Sequence, residues 1–198
     1  MATSIEFFYD FVSPAAYLAW TQLRRIENET GAKISRRAFS LGHVFKKTGN
    51  APPMQNVPAK GAYMTKDFLR TADALGVPMQ FNPAFPFNSI PLLRGALAAD
   101  QMQVGPDYRK AIFTAIWVEP QDVTDPDVIK NVLQAQRGLD ADAILALSET
   151  DEIKKKLKSN TEEAIERGAF GAPSFFVGEE LFWGSDRIEQ VIAAAKAA

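Results

Sequence analysis

The chain has no cysteine in its 198 residues. Disulfides, thiolate metal sites and thiol–disulfide exchange by the protein's own side chains are therefore excluded together. Histidine is almost as scarce. His43 is the sole example, so no multi-histidine metal centre can form, no metal is expected, and any Ser-His-Asp arrangement would depend on one residue. Nor is there an excess of charge: 22 Lys and Arg against 24 Asp and Glu leave a formal net charge of −2. This lacks the basic footprint of a nucleic-acid binder, so no nucleic-acid partner is expected. No segment reaches the roughly 18 consecutive apolar residues of a membrane span. The first six residues lack the basic and apolar regions of a secretory signal. A soluble cytoplasmic protein with no membrane partner is the expectation. The apolar fraction of 46% and charged fraction of 23% are ordinary for a globular chain. The length suits one sizeable core, or one domain carrying a large insertion.

Ile5-Glu6-Phe7-Phe8-Tyr9-Asp10 is short, aromatic and followed by a turn-like segment, which predicts a buried strand. Ser13-Pro14 then signals a helix start, with a hydroxyl cap and proline at the first helical position. Tyr17, Leu18, Leu23 and Ile26 continue at helical spacing until Gly31. Residues 33–39 predict a second strand, with Ile34, Arg36, Ala38 and Ser40 on one face. The result is a strand–helix–strand unit with parallel strands. Residues 42–58 are rich in Gly, Pro, Asn and Lys and show no apolar period, which predicts a loop able to carry function. Helical patterns follow over 62–75, 89–102, 106–118, 125–136, 140–148 and 151–167, interrupted at 81–87 by a proline-rich aromatic run. Beyond Gly168, Ser174–Val177 and 181–183 flank Gly178-Glu179-Glu180 as a hairpin. A last helix runs through Ile188, Val191 and Ile192, with Ser185 or Asp186 as its cap. This order predicts an α/β chain: a thioredoxin-like β-α-β…β-β-α domain with a large all-helical insertion. Residues 1–41 and 169–198 would form the discontinuous thioredoxin-like domain, and 42–168 the loop plus helical insertion.

In a thioredoxin fold the functional dyad lies between the first strand and first helix, where this chain reads Ser13-Pro14-Ala15-Ala16. A helix start offers unpaired amides and partial positive charge, which together favour a thiolate. With no protein thiol, the sulfur would have to arrive on a ligand, and the Ser13 hydroxyl could donate a hydrogen bond to it. The same dipeptide is equally an ordinary cap. Gly171-Ala172-Pro173-Ser174 enters the second strand pair. A cis proline there would leave the preceding backbone free to pair with an extended peptide, although trans is the commoner state of an X-Pro bond. Trp183-Gly184-Ser185-Asp186-Arg187 joins the last strand to the last helix. A carboxylate at that helix start and an ammonium on Asp186 would suit the amino-acid end of a γ-glutamyl group. An ordinary cap with a structural glycine is the alternative.

Taken together these segments carry a family resemblance. Phe8-Tyr9-Asp10-Phe11-Val12-Ser13-Pro14, Lys47-Thr48-Gly49-Asn50-Ala51-Pro52-Pro53, Lys60-Gly61-Ala62-Tyr63-Met64, Gly168-Ala169-Phe170-Gly171-Ala172-Pro173 and Phe182-Trp183-Gly184-Ser185-Asp186-Arg187 occur in that order. In them the chain resembles the kappa-class glutathione transferases and their bacterial relatives, the 2-hydroxychromene-2-carboxylate isomerases. The resemblance implies glutathione as cofactor, Ser13 as the catalytic serine at its sulfur, the Ala172 backbone against its cysteinyl part and Pro173 as the cis proline. It further implies γ-glutamyl anchors at Ser185 and Asp186 beside Trp183 and Gly184. Asn50 and Lys60 would supply further polar contacts, Lys60 to the glycine carboxylate.

A small aromatic acid or electrophile would be the second substrate, with Phe87, Phe85 and Phe81 as its wall, although such a loop equally suits core filling. Phe87 stands where the isomerases carry tyrosine, and Phe45 where some carry a basic residue. The implied activity is a glutathione-dependent isomerase. It would interconvert a hydroxychromene carboxylate and a hydroxybenzylidenepyruvate-like acid by reversible thiolate addition. The alternatives are a kappa-like transferase conjugating electrophiles and a non-catalytic glutathione-binding module. A homodimer is implied. Outside the resemblance, His43 reads as a surface or supporting residue, Trp117 and Phe113 as core, and Lys154-Lys155-Lys156 as a solvated helix face.

Overall fold

A computed structural model describes residues 4–54 and 57–198. Strand β1, Ser4–Tyr9, sits inside a four-stranded sheet of order β2-β1-β3-β4. Its alternation sorts side chains by face: Ile5, Phe7 and Tyr9 enter the main core, and Phe8 a smaller core on the opposite face. β2, Lys33–Ala38, runs parallel to β1, with Ile34 beside Ile5. β3, Ser174–Val177, runs antiparallel on its other side, with Phe175 beside Phe7. β4, Glu180–Trp183, completes the hairpin. This is the expected thioredoxin-like order.

Helix α1, Pro14–Thr30, starts at the Ser13 cap and ends at Gly31, whose φ of 67° lies in the left-handed region. Seven helices follow between β2 and β3: α2 Leu41–Thr48, α3 Pro58–Leu75, α4 Ile90–Gln101, α5 Gly105–Trp117, α6 Pro126–Gln134, α7 Ala141–Ser148 and α8 Asp151–Glu166. The chain closes with α9, Ile188–Ala197, which packs beside α1. From α4 to α8 the helix ends fall within two residues of the sequence expectation.

Two expectations fail. Residues 42–58 are not one loop, since α2 occupies their first half and α3 begins at Pro58. Ser40 caps α2, its hydroxyl accepting from the His43 amide at 3.3 Å, and Gly49 ends it at φ 73°. Only Val44 of α2 is buried, so two turns of helix leave almost no apolar period to read. Nor do Ser185 and Asp186 cap the last helix. α9 begins at Ile188, and no side-chain hydrogen bond caps it at Arg187, whose guanidinium pairs with Asp186 at 3.0 Å instead. Gly184 bends the preceding turn at φ 114°, and the Asp186 carboxyl folds back over it instead of reaching the helix amides.

The insertion shares its core with the sheet. Phe113 of α5 lies 4.8 Å from Phe11 and 6.0 Å from Tyr9, ring centre to ring centre, and the Trp117 indole donates to the Phe11 carbonyl at 2.9 Å. On the opposite face, Arg37 of β2 bonds Glu6, Asn160 and Glu163, and Arg167 joins Glu6. The two guanidiniums lie over the rings of Phe8 and Phe176, at 4.8 and 3.9 Å. This clamp fixes α8 against the sheet. Among the described residues no helix is long and apolar enough to cross a membrane.

α4 and α5 meet at Gly95, where a Cβ would collide with the Tyr108 hydroxyl, itself buried and donating to Leu92 at 3.0 Å. Gly95→Ala is expected to lower stability by about 1–3 kcal/mol through overpacking. Urea unfolding measures it, and an unchanged midpoint would contradict the close approach.

Candidate functional site

The site is built at the end of β1. Asp10 is 1% exposed, and its carboxylate accepts from the amides of Val12 at 3.1 Å and Leu41 at 2.8 Å. The Ser89 side chain lies beside it and favours its charged form. One buried side chain thus ties the β1–α1 turn to the start of α2, beside the Ser89 cap position of α4. The Asp10 carbonyl accepts the Ser13 amide at 3.1 Å, which sets the turn carrying Ser13. Burial pushes the Asp10 carboxyl above its ordinary pKa, while Ser89 and the bonds from Leu41 and Val12 act in the opposite direction.

The Ser13 hydroxyl accepts from the Ala16 amide at 3.1 Å and donates to the Ala172 carbonyl at 3.0 Å. It is a cap, and it also bridges to the segment that enters β3. In the first turn of α1, Pro14 has no amide hydrogen and Tyr17 donates to the Ser13 carbonyl at 3.2 Å. The Ala15 amide belongs to the set with no acceptor inside the helix, at the end where partial positive charge collects. The Ala172–Pro173 peptide is cis, as the resemblance implies, and so is Phe85–Pro86. Trp183 lies so close to Gly171 that a Cβ there would meet the indole, and its ring centre is 4.9 Å from that of Phe170.

These groups line one cavity of 1620 Å³. Ser13, Asn50, Lys60, Phe85, Phe87, Ala172, Trp183, Gly184, Ser185 and Asp186 all contribute to its wall; Pro173 does not. The Pro173 carbonyl instead accepts the Gly184 amide at 3.1 Å, holding the 183–186 turn beside Ala172. Asn50 is already engaged, its amide donating to the Phe170 carbonyl at 2.9 Å and accepting from Ala51 at 2.9 Å. Lys60 is exposed in the first turn of α3, with no ion pair among the described residues. The aromatic run divides: Phe87 and Phe85 reach the cavity, whereas Phe81 packs edge-on against Trp117 at 5.6 Å. Trp117 and Phe113 are core, as expected.

His43, read as a surface or supporting residue, does not lie on the open surface. It is half-buried on the cavity wall, and its Nε2 is shut from water without a hydrogen-bond partner. Its inward direction was not legible because α2 was missed, and α2 is what turns it. The lysine run also divides, since Lys154 lines the cavity while Lys155 and Lys156 stay in solvent. Arg94, Leu157, Lys158 and Phe68 are further wall residues that the sequence reading did not single out. The signal was present on α8, where positions 154, 157, 158 and 161 share one helical face.

A model of the DSBA-like thioredoxin domain matches residues 4–195. The chain belongs to that family. Within it, a 2-hydroxychromene-2-carboxylate isomerase of Sphingobium xenophagum is 30% identical over 190 residues, covering 96% of each chain. The family assignment therefore extends to the isomerase and kappa-class transferase branch. Glutathione S-transferase kappa 1 of Homo sapiens is 28% identical over 202 residues, covering 94% of this chain and 88% of that one. A solved 2-hydroxychromene-2-carboxylate isomerase superposes with a TM-score of 0.82 at 28% identity, over 96% of this chain and 93% of that one. Relatives in this DsbA-like family are isomerases and transferases, which supports enzymatic activity here.

The Asp10 shift has a defined sign. Because the native state holds the Asp10 proton to a higher pH than the unfolded chain does, this group contributes stability below about pH 4. That contribution is lost as pH rises through the elevated folded pKa. The stability of the parent relative to Asp10→Asn is therefore expected to fall as pH rises across the weakly acid range. Thermal midpoints of both proteins against pH measure this, and two parallel curves would contradict it.

Proposed function

We propose that the protein is a glutathione-dependent isomerase of a conjugated aromatic hydroxy- or keto-acid, of the 2-hydroxychromene-2-carboxylate type. The observation that carries the reading is the position of the Ser13 hydroxyl. In a chain with no cysteine, it lies at the start of α1 and within hydrogen-bond distance of the carbonyl preceding a cis proline, on the wall of a large cavity.

The residues present fit the tripeptide. Lys60 offers a cation for a carboxylate, and Asp186 an anion for an ammonium. Between them, Ala172 offers backbone for an extended cysteinyl unit and Ser13 a hydroxyl for sulfur. Gly184, Ser185 and Trp183 would shape the γ-glutamyl end, with Pro173 holding their turn against Ala172. Asn50 keeps the loop after α2 joined to Phe170 and so frames the other end. A volume of 1620 Å³ exceeds the roughly 300–1,000 Å³ usual for one ligand, which suits a tripeptide and a second molecule together.

When bound, glutathione supplies a thiolate able to add reversibly to a conjugated carbon, so that a former double bond can rotate before elimination. The protein's part is electrostatic and positional. A peptide amide of the ligand can take over the Ala172 carbonyl, which releases the Ser13 proton to turn toward sulfur. Ser13, the Ala15 amide and the α1 terminus then stabilise negative charge from fixed positions. Phe85 and Phe87 offer flat apolar surface to the second substrate and exclude water from it. The similarity to kappa-class transferases favours one other reading, conjugation of the same thiolate to an electrophile. Assays with a hydroxychromene carboxylate and with a chlorinated aromatic acceptor separate the two.

Ser13→Ala is expected to reduce turnover about a hundredfold or more while the fold persists. In the parent, the ultraviolet thiolate band of bound glutathione should develop well below the free thiol's pKa of roughly 8.5. In the variant it should move back toward that value. Unchanged turnover, or no early thiolate in the parent, would remove Ser13 from the role.

A further inference from the structure

Two helices of the insertion present one face each to the cavity. On α4, Ile90 and Arg94 are four residues apart and lie one above the other. On α8, Lys154, Leu157, Lys158 and Thr161 follow the spacing of a single helical stripe. The cavity wall carries Lys46, Lys60, Arg94, Lys154 and Lys158 against Asp67 and Asp186, while Glu149 pairs with Arg94 and Lys154, and Glu162 with Lys158, from outside it. The chain as a whole carries −2. A cationic cleft in a weakly acidic protein gathers anions. With Lys60 assigned to the tripeptide, the most enclosed of the remaining cations on this wall is Arg94, held only weakly by its own acid partner.

Arg94 differs from the lysines in how it is held. Its side chain is 25% exposed, and its Nε is shut from water with no hydrogen-bond partner. Among the described residues its side-chain bonds are two from one terminal nitrogen to Glu149, at 3.3 and 3.5 Å, near the outer limit for such contacts. A guanidinium has five donors in a planar fork, so most of this one's capacity is unspent. Glu149 has a better partner in Lys154 at 3.1 Å. Releasing Arg94 would therefore leave no acid unpaired. Nearby, Phe87 and Ile90 supply the apolar surface an aromatic ring would cover.

We propose that Arg94 receives the carboxylate of the second substrate and thereby selects acids over their neutral analogues. This rests on reading the cavity as the site of an aromatic acid beside glutathione. Arg94 stands on a helix fixed by the Gly95–Tyr108 approach, so the carboxylate is held at a set place and its ring is directed along the Phe87 wall. A fork-shaped donor matches a planar carboxylate in a way an ammonium does not, which makes Arg94→Lys an incomplete replacement.

Calorimetric titration of salicylate and of uncharged methyl salicylate into the parent, Arg94→Gln and Arg94→Lys, with and without saturating glutathione, tests this. The parent should bind the acid more tightly than the ester. Arg94→Gln should weaken acid binding about tenfold or more and leave ester binding unchanged, and Arg94→Lys should recover part of the loss. In turnover of a hydroxychromene carboxylate, KM should rise more than kcat falls. No preference for the acid in the parent, or equal losses for acid and ester in Arg94→Gln, would overturn the proposal. Arg94-dependent acid binding without any glutathione binding would instead overturn the function proposed above and leave this inference standing.

Discussion

A single hydroxyl, shared between a helix start and a carbonyl 159 residues away, holds the site together. Ser13 accepts from its own helix and donates across to Ala172, so the geometry that caps α1 also fixes where the hydroxyl points. Remove the cap and the oxygen loses its direction; remove the carbonyl and it loses its ligand-free partner. Asp10 supports this from below, holding the turn in register with α2 at the expense of keeping a carboxyl out of water. At the position where the proposed function puts a ligand's sulfur, the chain keeps a hydroxyl whose direction is already set.

The insertion serves the site by presenting selected helix faces. α2 brings His43 and Phe45, α3 brings Lys60 and Phe68, α4 brings Arg94, and α8 brings a stripe of lysine and leucine. The insertion helices are not all attached alike. Phe113 and Trp117 pack into the aromatic group at the end of β1, and Arg37 with Arg167 clamps α8 to the far face. The α8 side of the cavity wall is therefore tied to the sheet, whereas α2 and α3 bury only Val44 and Ala72.

The sheet and its order were legible because their signals are local: an aromatic run, a cap before proline, a glycine-centred hairpin. The Ser13, Ala172 and Asp186 segments were legible through family resemblance, because none of them alone exceeds an ordinary cap or strand entry. α2 was missed since a two-turn helix burying only Val44 has almost no periodic signal, and with it went the inward direction of His43. The 185–186 cap was misread because Gly184 and Asp186 settle that turn between themselves, by a contact that spacing does not reveal. Arg94 and Lys158 escaped for a different reason. A charged residue on a helix face looks the same in sequence whether it meets bulk water or a cleft.

β1 takes one neighbour from the next strand and the other from residues 174–177, beyond the whole insertion. During synthesis its second edge, bearing Phe7 and Phe8, must wait unpaired until nearly all of the chain has been made. Such an edge is a template for wrong partners, and late pairing of distant segments slows folding. Ala172, which enters β3, arrives with that same last piece, so the cavity wall and the sheet are completed in one event.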